Sequence, residues 1–285
     1  MKIVNNKLVG DQVSEKPTPN LYSPPEFKLP EYPDSIVIHY TAMNNMNDAV
    51  KVLTTKKPSG NASAHLVIGK KGEVAQLAPF NYRTWHAGVS AYKGRSGYNH
   101  LSIGIEIDNL GWLEKYDGYY SRPELLALSK PVKVKEEDVI KADHWNKNVL
   151  KKYWQNFTQA QVNTVLEICT LLKDEYKIKE IVGHDEIAPD RKLDPGPAFP
   201  LEWLRNQALF RGREDMGDEE TVYFQPFNAQ VLASKLNIRS GPGQNEAKVA
   251  LPLIRGTQVK VIDKSGNWYK VKAEIEGWVS AEYIK

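Results

Sequence analysis

The chain has a single cysteine, Cys169, among its 285 residues, so no disulfide can form within it. That fits synthesis in a reducing compartment and excludes a disulfide-stapled scaffold. No run approaches the ~20 consecutive apolar residues that a membrane-spanning helix needs. The opening stretch Met1–Gly10 has no apolar core of the length a secretory signal uses. An excess of one charge is also missing, with 38 basic residues against 35 acidic ones. Basic residues are nowhere interleaved with aromatics along a run, so no nucleic-acid partner is expected. The length allows two domains and a substantial core.

What is present begins with proline. Residues 11–34 hold Pro17, Pro19, Pro24, Pro25, Pro30 and Pro33, which predicts an extended arm, kept with the first domain, and excludes a helix. Ser35-Ile36-Val37-Ile38-His39-Tyr40-Thr41 follows, a β-branched apolar run of strand length. It predicts a buried central strand ending in a histidine. Taken alone, such a histidine is more often a hydrogen-bonded structural residue than a ligand. Asn47 to Leu53 sets Ala49, Val50 and Leu53 on one helical face. Ala64–Ile68 and Glu73–Leu77 flank Gly69-Lys70-Lys71-Gly72, a hairpin signal that puts His65 in a strand, mainly as a structural residue. Leu101, Ile103, Ile105 and Ile107 alternate with Ser102, Gly104 and Glu106. That period predicts a strand with Glu106 on its less apolar face, where a solvent-facing glutamate is the plain reading.

Residues 110–157 are the least legible stretch. Trp112, Tyr116, Tyr119, Tyr120, Trp145, Tyr153, Trp154 and Phe157 lie among many lysines. So many aromatics argue against disorder, and the length argues for a functional insertion. Asp143 and His144 are taken as surface or packing residues rather than metal ligands. Thr158-Gln159-Ala160-Gln161 is a capping box. Val162, Val165, Leu166, Cys169 and Leu172 then recur at helical spacing, which makes Cys169 a packed core thiol and not a nucleophile. Residues 211–227 predict a linker, and residues 228–285 change to short strands separated by regular turns, the pattern of a small β-barrel.

The chemistry concentrates between the strand end Ile181-Val182 and a helix opening at Pro200. If Arg191–Asp194 is extended and Leu193 is buried, Lys192 and Asp194 project side by side near His184. Gly183-His184-Asp185-Glu186-Ile187-Ala188-Pro189-Asp190-Arg191-Lys192-Leu193-Asp194-Pro195-Gly196 resembles the signature of the zinc-dependent N-acetylmuramoyl-L-alanine amidases of type 2. That family is related to phage amidases and peptidoglycan recognition proteins. His39-Tyr40-Thr41, Ser63-Ala64-His65, Thr84-Trp85-His86-Ala87-Gly88 and Ile103-Gly104-Ile105-Glu106 are similar to the family as well. Two departures stand out: Asp185-Glu186 where the family often has Ser-Asp, and Asp190 where it often has glycine. Asp tolerates left-handed turn geometry better than most residues, so the loop shape is expected to survive. The resemblance implies an α/β fold, a mixed central sheet flanked by helices. It implies one zinc ion bound by His39, His184 and Asp194, with Glu106 and Lys192 as catalytic groups. It also implies that His86 and Trp85 line the substrate groove, core filling being the alternative for Trp85.

Leu236–Gly243, Asn267–Val271 and Gly277-Trp278-Val279 resemble bacterial SH3 domains, which accompany wall hydrolases and bind wall peptide. In that reading Trp278 fills the core, while Trp268 and Tyr269 serve either packing or a ligand groove. The expected organisation is an amidase domain over 1–210, a linker over 211–227 and an SH3-like domain over 228–285. The expected activity is cleavage of the amide between N-acetylmuramic acid and L-alanine, with peptidoglycan or muropeptides as partner. A non-catalytic peptidoglycan receptor is an alternative, although such relatives lose a zinc ligand. An intracellular amidase recycling soluble muropeptides is another. Action at the wall, without a signal segment, would need another route of release.

Overall fold

The computed structural model of the chain describes residues 1–56, 62–126, 131–210, 227–265 and 268–273. The strand Ser35–Tyr40 is buried along its whole length, because apolar side chains occupy both faces of its pleat. It pairs in parallel with Glu180–Gly183 on one side and with Ser102–Ile107 on the other. Ser102–Ile107 pairs in parallel with Leu66–Ile68, which turns back through the glycine-flanked hairpin onto Val74–Gln76. Val13–Glu15, from the N-terminal arm, closes the far edge. The sheet is mixed, as the resemblance implies.

Helices cover it for reasons visible in their spacing. Met46–Thr54 buries Ala49 and Leu53 against Ala64, Val67, Ala75 and Leu77. Gln159–Tyr176 opens on the expected capping box, with Gln161 N–H donating to Thr158 Oγ1 at 3.1 Å and Thr158 N–H to Gln161 Oε1 at 3.0 Å. Such a cap contributes about 1 kcal/mol. Cys169 lies inside this helix with no exposed surface, and burial pushes its thiol upward. It is a core residue without thiolate character. No helix among the described residues is long and apolar enough to cross a membrane.

Residues 110–157 build an antiparallel sheet of their own, ordered Tyr119–Ser121, Trp112–Tyr116, Tyr153–Gln155, Val139–Lys141. Leu110, Leu113, Tyr120 and Val134 form its core, and Trp154 and Phe157 are fully buried. Tyr120, Trp154 and Phe157 thus serve packing, while Trp145 is exposed.

The chain divides into two compact units, Met1–Glu219 and Glu220–Lys285. In the second, Phe227–Gln230, Gln258–Ser265 and Trp268–Lys272 form one antiparallel sheet, and Lys235–Leu236 pairs with Leu253–Ile254. Val231, Leu253, Val259 and Val261 make its core. Trp268 is half-buried and Tyr269 exposed. The expected linker up to residue 226 and Gly277-Trp278-Val279 lie outside the described residues.

His65 sits one residue ahead of its strand and is wholly buried. Its Nε2–H donates to Tyr82 O at 2.7 Å, and its Nδ1 accepts the Gly104 N–H at 3.0 Å and the Thr84 hydroxyl at 3.2 Å. Every polar atom of the ring is satisfied only while the ring is neutral. Burial pulls it down to about 4, against the bond to Tyr82. The unfolded ring takes up its proton near pH 6.5, whereas the folded one resists until about pH 4. This contribution to stability is therefore intact above the unfolded value and is lost as pH falls between the two. A shift of this size corresponds to roughly 3 kcal/mol. In an NMR titration of the imidazoles, His65 is expected to stay neutral until about pH 4. A midpoint near that of a free histidine would refute its structural role.

Candidate metal centre and its cleft

Parallel pairing sets Glu106 level with His39, and Gly183 level with Ile38. The residue after Gly183, His184, therefore comes level with His39. Residues at one level of adjacent parallel strands project to the same face. His184, His39 and Glu106 thus form a row at the carboxyl ends of three neighbouring strands, where open α/β sheets place their ligands.

Past Gly183 the chain does not run on as a plain loop. His184–Ile187 is one helical turn, and Glu186 Oε2 accepts the Gly183 N–H at 2.8 Å. The N–H groups of Arg191 and Lys192 then both donate to Ala188 O, which turns the chain back. Asp185 N–H donates to Asp194 O at 2.7 Å and closes the loop at its base. Arg191 ends this turn, and Lys192–Asp194 runs on beyond it without helix or turn. Leu193 is half-buried and lines the cleft together with Lys192 and Asp194. Asp190 does not take a positive φ, so a glycine is not required there.

Three side-chain atoms converge at this point. His39 Nδ1 lies 2.8 Å from His184 Nδ1 and 3.0 Å from Asp194 Oδ2, and His184 Nδ1 lies 2.9 Å from the same oxygen. The far nitrogens of both rings are engaged. His184 Nε2–H donates to Ala87 O at 3.0 Å, and His39 Nε2 lies 3.0 Å from His86 Nδ1. His86 Nε2–H points to Ser102 O at 3.3 Å, so His86 Nδ1 is an acceptor and His39 Nε2 carries the proton. Both Nδ1 atoms face each other and the same carboxylate oxygen. Burial, with His184 beside it, lowers His39 to about 4 against the opposing pull of Asp194. Burial alone would raise Asp194, but His184 and His39 outweigh it and hold the carboxyl well below its usual range. Two imidazole nitrogens and a carboxylate oxygen meet at one point, all within 3.0 Å of one another. A cation satisfies that arrangement, and these three residues could hold a metal ion.

A cleft of about 380 Å³ opens over the triad. Glu106 lines it, half-buried, with Oε2 sequestered and lacking a hydrogen-bond partner. Burial, then the charge of Asp194, raises this carboxyl to about 8, while Lys192 opposes them. Trp85 stands on the cleft's rim, 41% exposed and stacked on Tyr22 of the N-terminal arm with centroids 3.6 Å apart. It does not fill the core. His86 borders the cleft but is 8% exposed, and both its nitrogens are bound within the protein. The ring thus both lines the cleft and stands behind His39. A Cβ on Gly104 would come within 2.4 Å of the His86 ring, so glycine in Ile-Gly-Ile-Glu makes room for it. Reading the sequence did not identify Trp112 and Arg122, which the insertion contributes to the wall. Nor did it identify Arg191, which donates to Ala87 O and Val89 O and ties the loop to the His86 segment. His144, taken as surface or packing, is buried against Asp185. No local pattern in the sequence marks these contacts.

Residues 29–197 match the family model of N-acetylmuramoyl-L-alanine amidase, and residues 234–285 that of the bacterial SH3 domain. The chain is similar to N-acetylmuramoyl-L-alanine amidase AmiD of Escherichia coli, 31% identical over 179 residues, covering 61% of this chain and 52% of that protein. It is also similar to 1,6-anhydro-N-acetylmuramyl-L-alanine amidase AmpD of the same organism, 35% identical over 147 residues, covering 52% of this chain and 57% of that one. The chain thus spans about half the length of the curated relatives it matches. Among solved structures, the complex of AmiD from E. coli with anhydro-N-acetylmuramic acid-L-Ala-D-gamma-Glu-L-Lys is 31% identical. That match covers 61% of this chain and 56% of that one, with a TM-score of 0.44.

The buried His86 ring gives the first test of the site. Partners that orient a ligating histidine typically contribute 10–100-fold in metal affinity. Replacing His86 by alanine is expected to weaken binding of a divalent transition metal by roughly that factor, read by competition with a chromophoric chelator. Unchanged affinity would mean that His39 is held by its strand alone.

Proposed function

The chain belongs to the N-acetylmuramoyl-L-alanine amidase family. From that premise we propose that it hydrolyses the amide between the lactyl group of N-acetylmuramic acid and L-alanine, with zinc as cofactor. The observation that carries this reading is the triangle of His39 Nδ1, His184 Nδ1 and Asp194 Oδ2, set level with a carboxyl whose Oε2 has no partner. Two imidazole nitrogens and one carboxylate oxygen are a donor set that suits zinc and leaves a position for catalysis. When bound, zinc supplies Lewis acidity toward a carbonyl and toward water.

The chain's own residues supply the rest. Glu106 takes a proton from the attacking water as its oxygen bonds to the carbonyl carbon, then delivers that proton to the amide nitrogen as the C–N bond breaks. To act as a base it must be ionised, and a dication beside it favours that form. Lys192, half-buried on the cleft wall, stabilises the charge that develops on the carbonyl oxygen. Trp85 offers an apolar rim to the substrate. The C-terminal SH3-like region supports polymeric wall as the substrate, while the similarity to AmpD supports soluble muropeptides. Assays on intact sacculi and on soluble muropeptide separate the two, and removal of zinc is expected to abolish both activities.

Glu106→Gln keeps the shape but cannot accept a proton at neutral pH, and is expected to lose about 10²–10⁴-fold in single-turnover rate with zinc retained. Lys192→Ala is expected to lose about 10²–10³-fold, and the double variant less than the product of the two. Near wild-type turnover in Glu106→Gln would remove it as the base. Removing residues 228–285 is expected to spare soluble muropeptide and slow the attack on sacculi. Equal rates on sacculi with and without that region would remove its proposed role in wall binding.

A further inference from the structure

The insertion reaches onto the loop that carries two of the three proposed ligands. Trp145 Nε1–H donates to Asp185 Oδ2 at 2.9 Å, and His144 Nε2 comes to 2.9 Å from the same oxygen. His144 Nδ1 accepts the Asn146 N–H at 3.1 Å, so the His144 proton sits on Nε2, facing the carboxylate. The His144 contact has the distance of a hydrogen bond without its alignment, which makes Trp145 the better directed of the two. Asn146 Nδ2–H donates to Pro189 O at 3.1 Å. Farther along, the fully buried Trp154 ring lies against Gly196.

Asp185 is where these contacts bear on the site. It follows His184 directly, and its N–H donates to Asp194 O at 2.7 Å. Its carboxylate folds back over Gly183, where a Cβ would come within 2.3 Å of Oδ1. Only 3% of Asp185 is exposed, so its charge depends on donors from the protein, and the insertion supplies them. No step of the reaction derived above uses these groups.

The geometry points to the insertion as a clamp: Trp145, His144 and Asn146 are positioning residues that hold His184 and Asp194 in register for the metal. A loop that opened would carry His184 and Asp194 out of register with His39. Contacts at Asp185 and Pro189 oppose that opening from outside the motif. The inference rests on the metal reading of the site and is independent of the substrate.

Trp145→Phe combined with Asn146→Ala removes two donors while a ring still fills the Trp145 position, itself 54% exposed. The measurements are zinc affinity by chelator competition, and denaturant unfolding with and without zinc. The expected result is a roughly tenfold rise in zinc Kd. That corresponds to a loss of about 1.4 kcal/mol confined to the zinc-dependent part of stability, with zinc-free stability unchanged. The absorption bands of the cobalt-substituted protein are expected to shift as well. An unchanged Kd overturns the clamp. So does an equal loss of stability with and without zinc, which would mean that the contacts only anchor the insertion. If the double variant does not fold, Trp145→Phe alone gives the same readings at smaller amplitude. A wild type that binds no zinc overturns the metal reading together with the clamp, whereas tight binding that is equal in wild type and variant sinks the clamp only.

Discussion

Two imidazole nitrogens and a carboxylate oxygen held within 3.0 Å of one another are the constraint around which this molecule is arranged. Rigid surroundings must hold three such atoms at one point. The parallel register of three strands does most of this, since a strand cannot slip by one residue without turning His39 or Glu106 to the opposite face.

Much of that was legible before any coordinates. The β-branched run ending in His39 and the alternation ending in Glu106 both specify strands, and the capping box at Thr158 specifies where the long helix begins. Cys169 was legible as an interior residue from its place in a helical period, and His65 as a structural residue from its place in the hairpin. The loop after Gly183 was legible in its residue types but not in its path. Its helical turn depends on Glu186 reaching back to Gly183, and its reversal depends on Ala188 O accepting two N–H groups. Both are local hydrogen-bonding choices that hydrophobic periodicity does not encode.

The insertion was illegible for another reason. Its aromatic residues carry no helical or strand period because they serve different places, Tyr120 in a small separate core, Trp112 on the cleft wall and Trp154 against Gly196, and its polar contacts reach residues far away in sequence. Trp145 meets Asp185 across 40 positions, and Asn146 meets Pro189 across 43. The departure of this chain from Ser-Asp to Asp185-Glu186 gains a physical sense only with those partners in place. An aspartate at position 185 needs donors, and the insertion provides them. Glu186 meanwhile pairs with Arg205 and accepts the Gly183 N–H. Substitution and insertion fit one another.

The same reasoning joins three short motifs that look independent along the chain. Glycine in the middle of a strand weakens it unless something must approach closely. At Gly104 that something is the ring of His86, which reaches His39 Nε2 with one nitrogen and Ser102 O with the other. A side chain at position 104 would push the ring away, His39 would lose the partner that fixes its tautomer, and its Nδ1 lone pair would no longer be directed at Asp194. His39-Tyr40-Thr41, Trp85-His86-Ala87 and Ile103-Gly104-Ile105-Glu106 are therefore one device. The third motif supplies the seat, the second the support and the first the ligand atom.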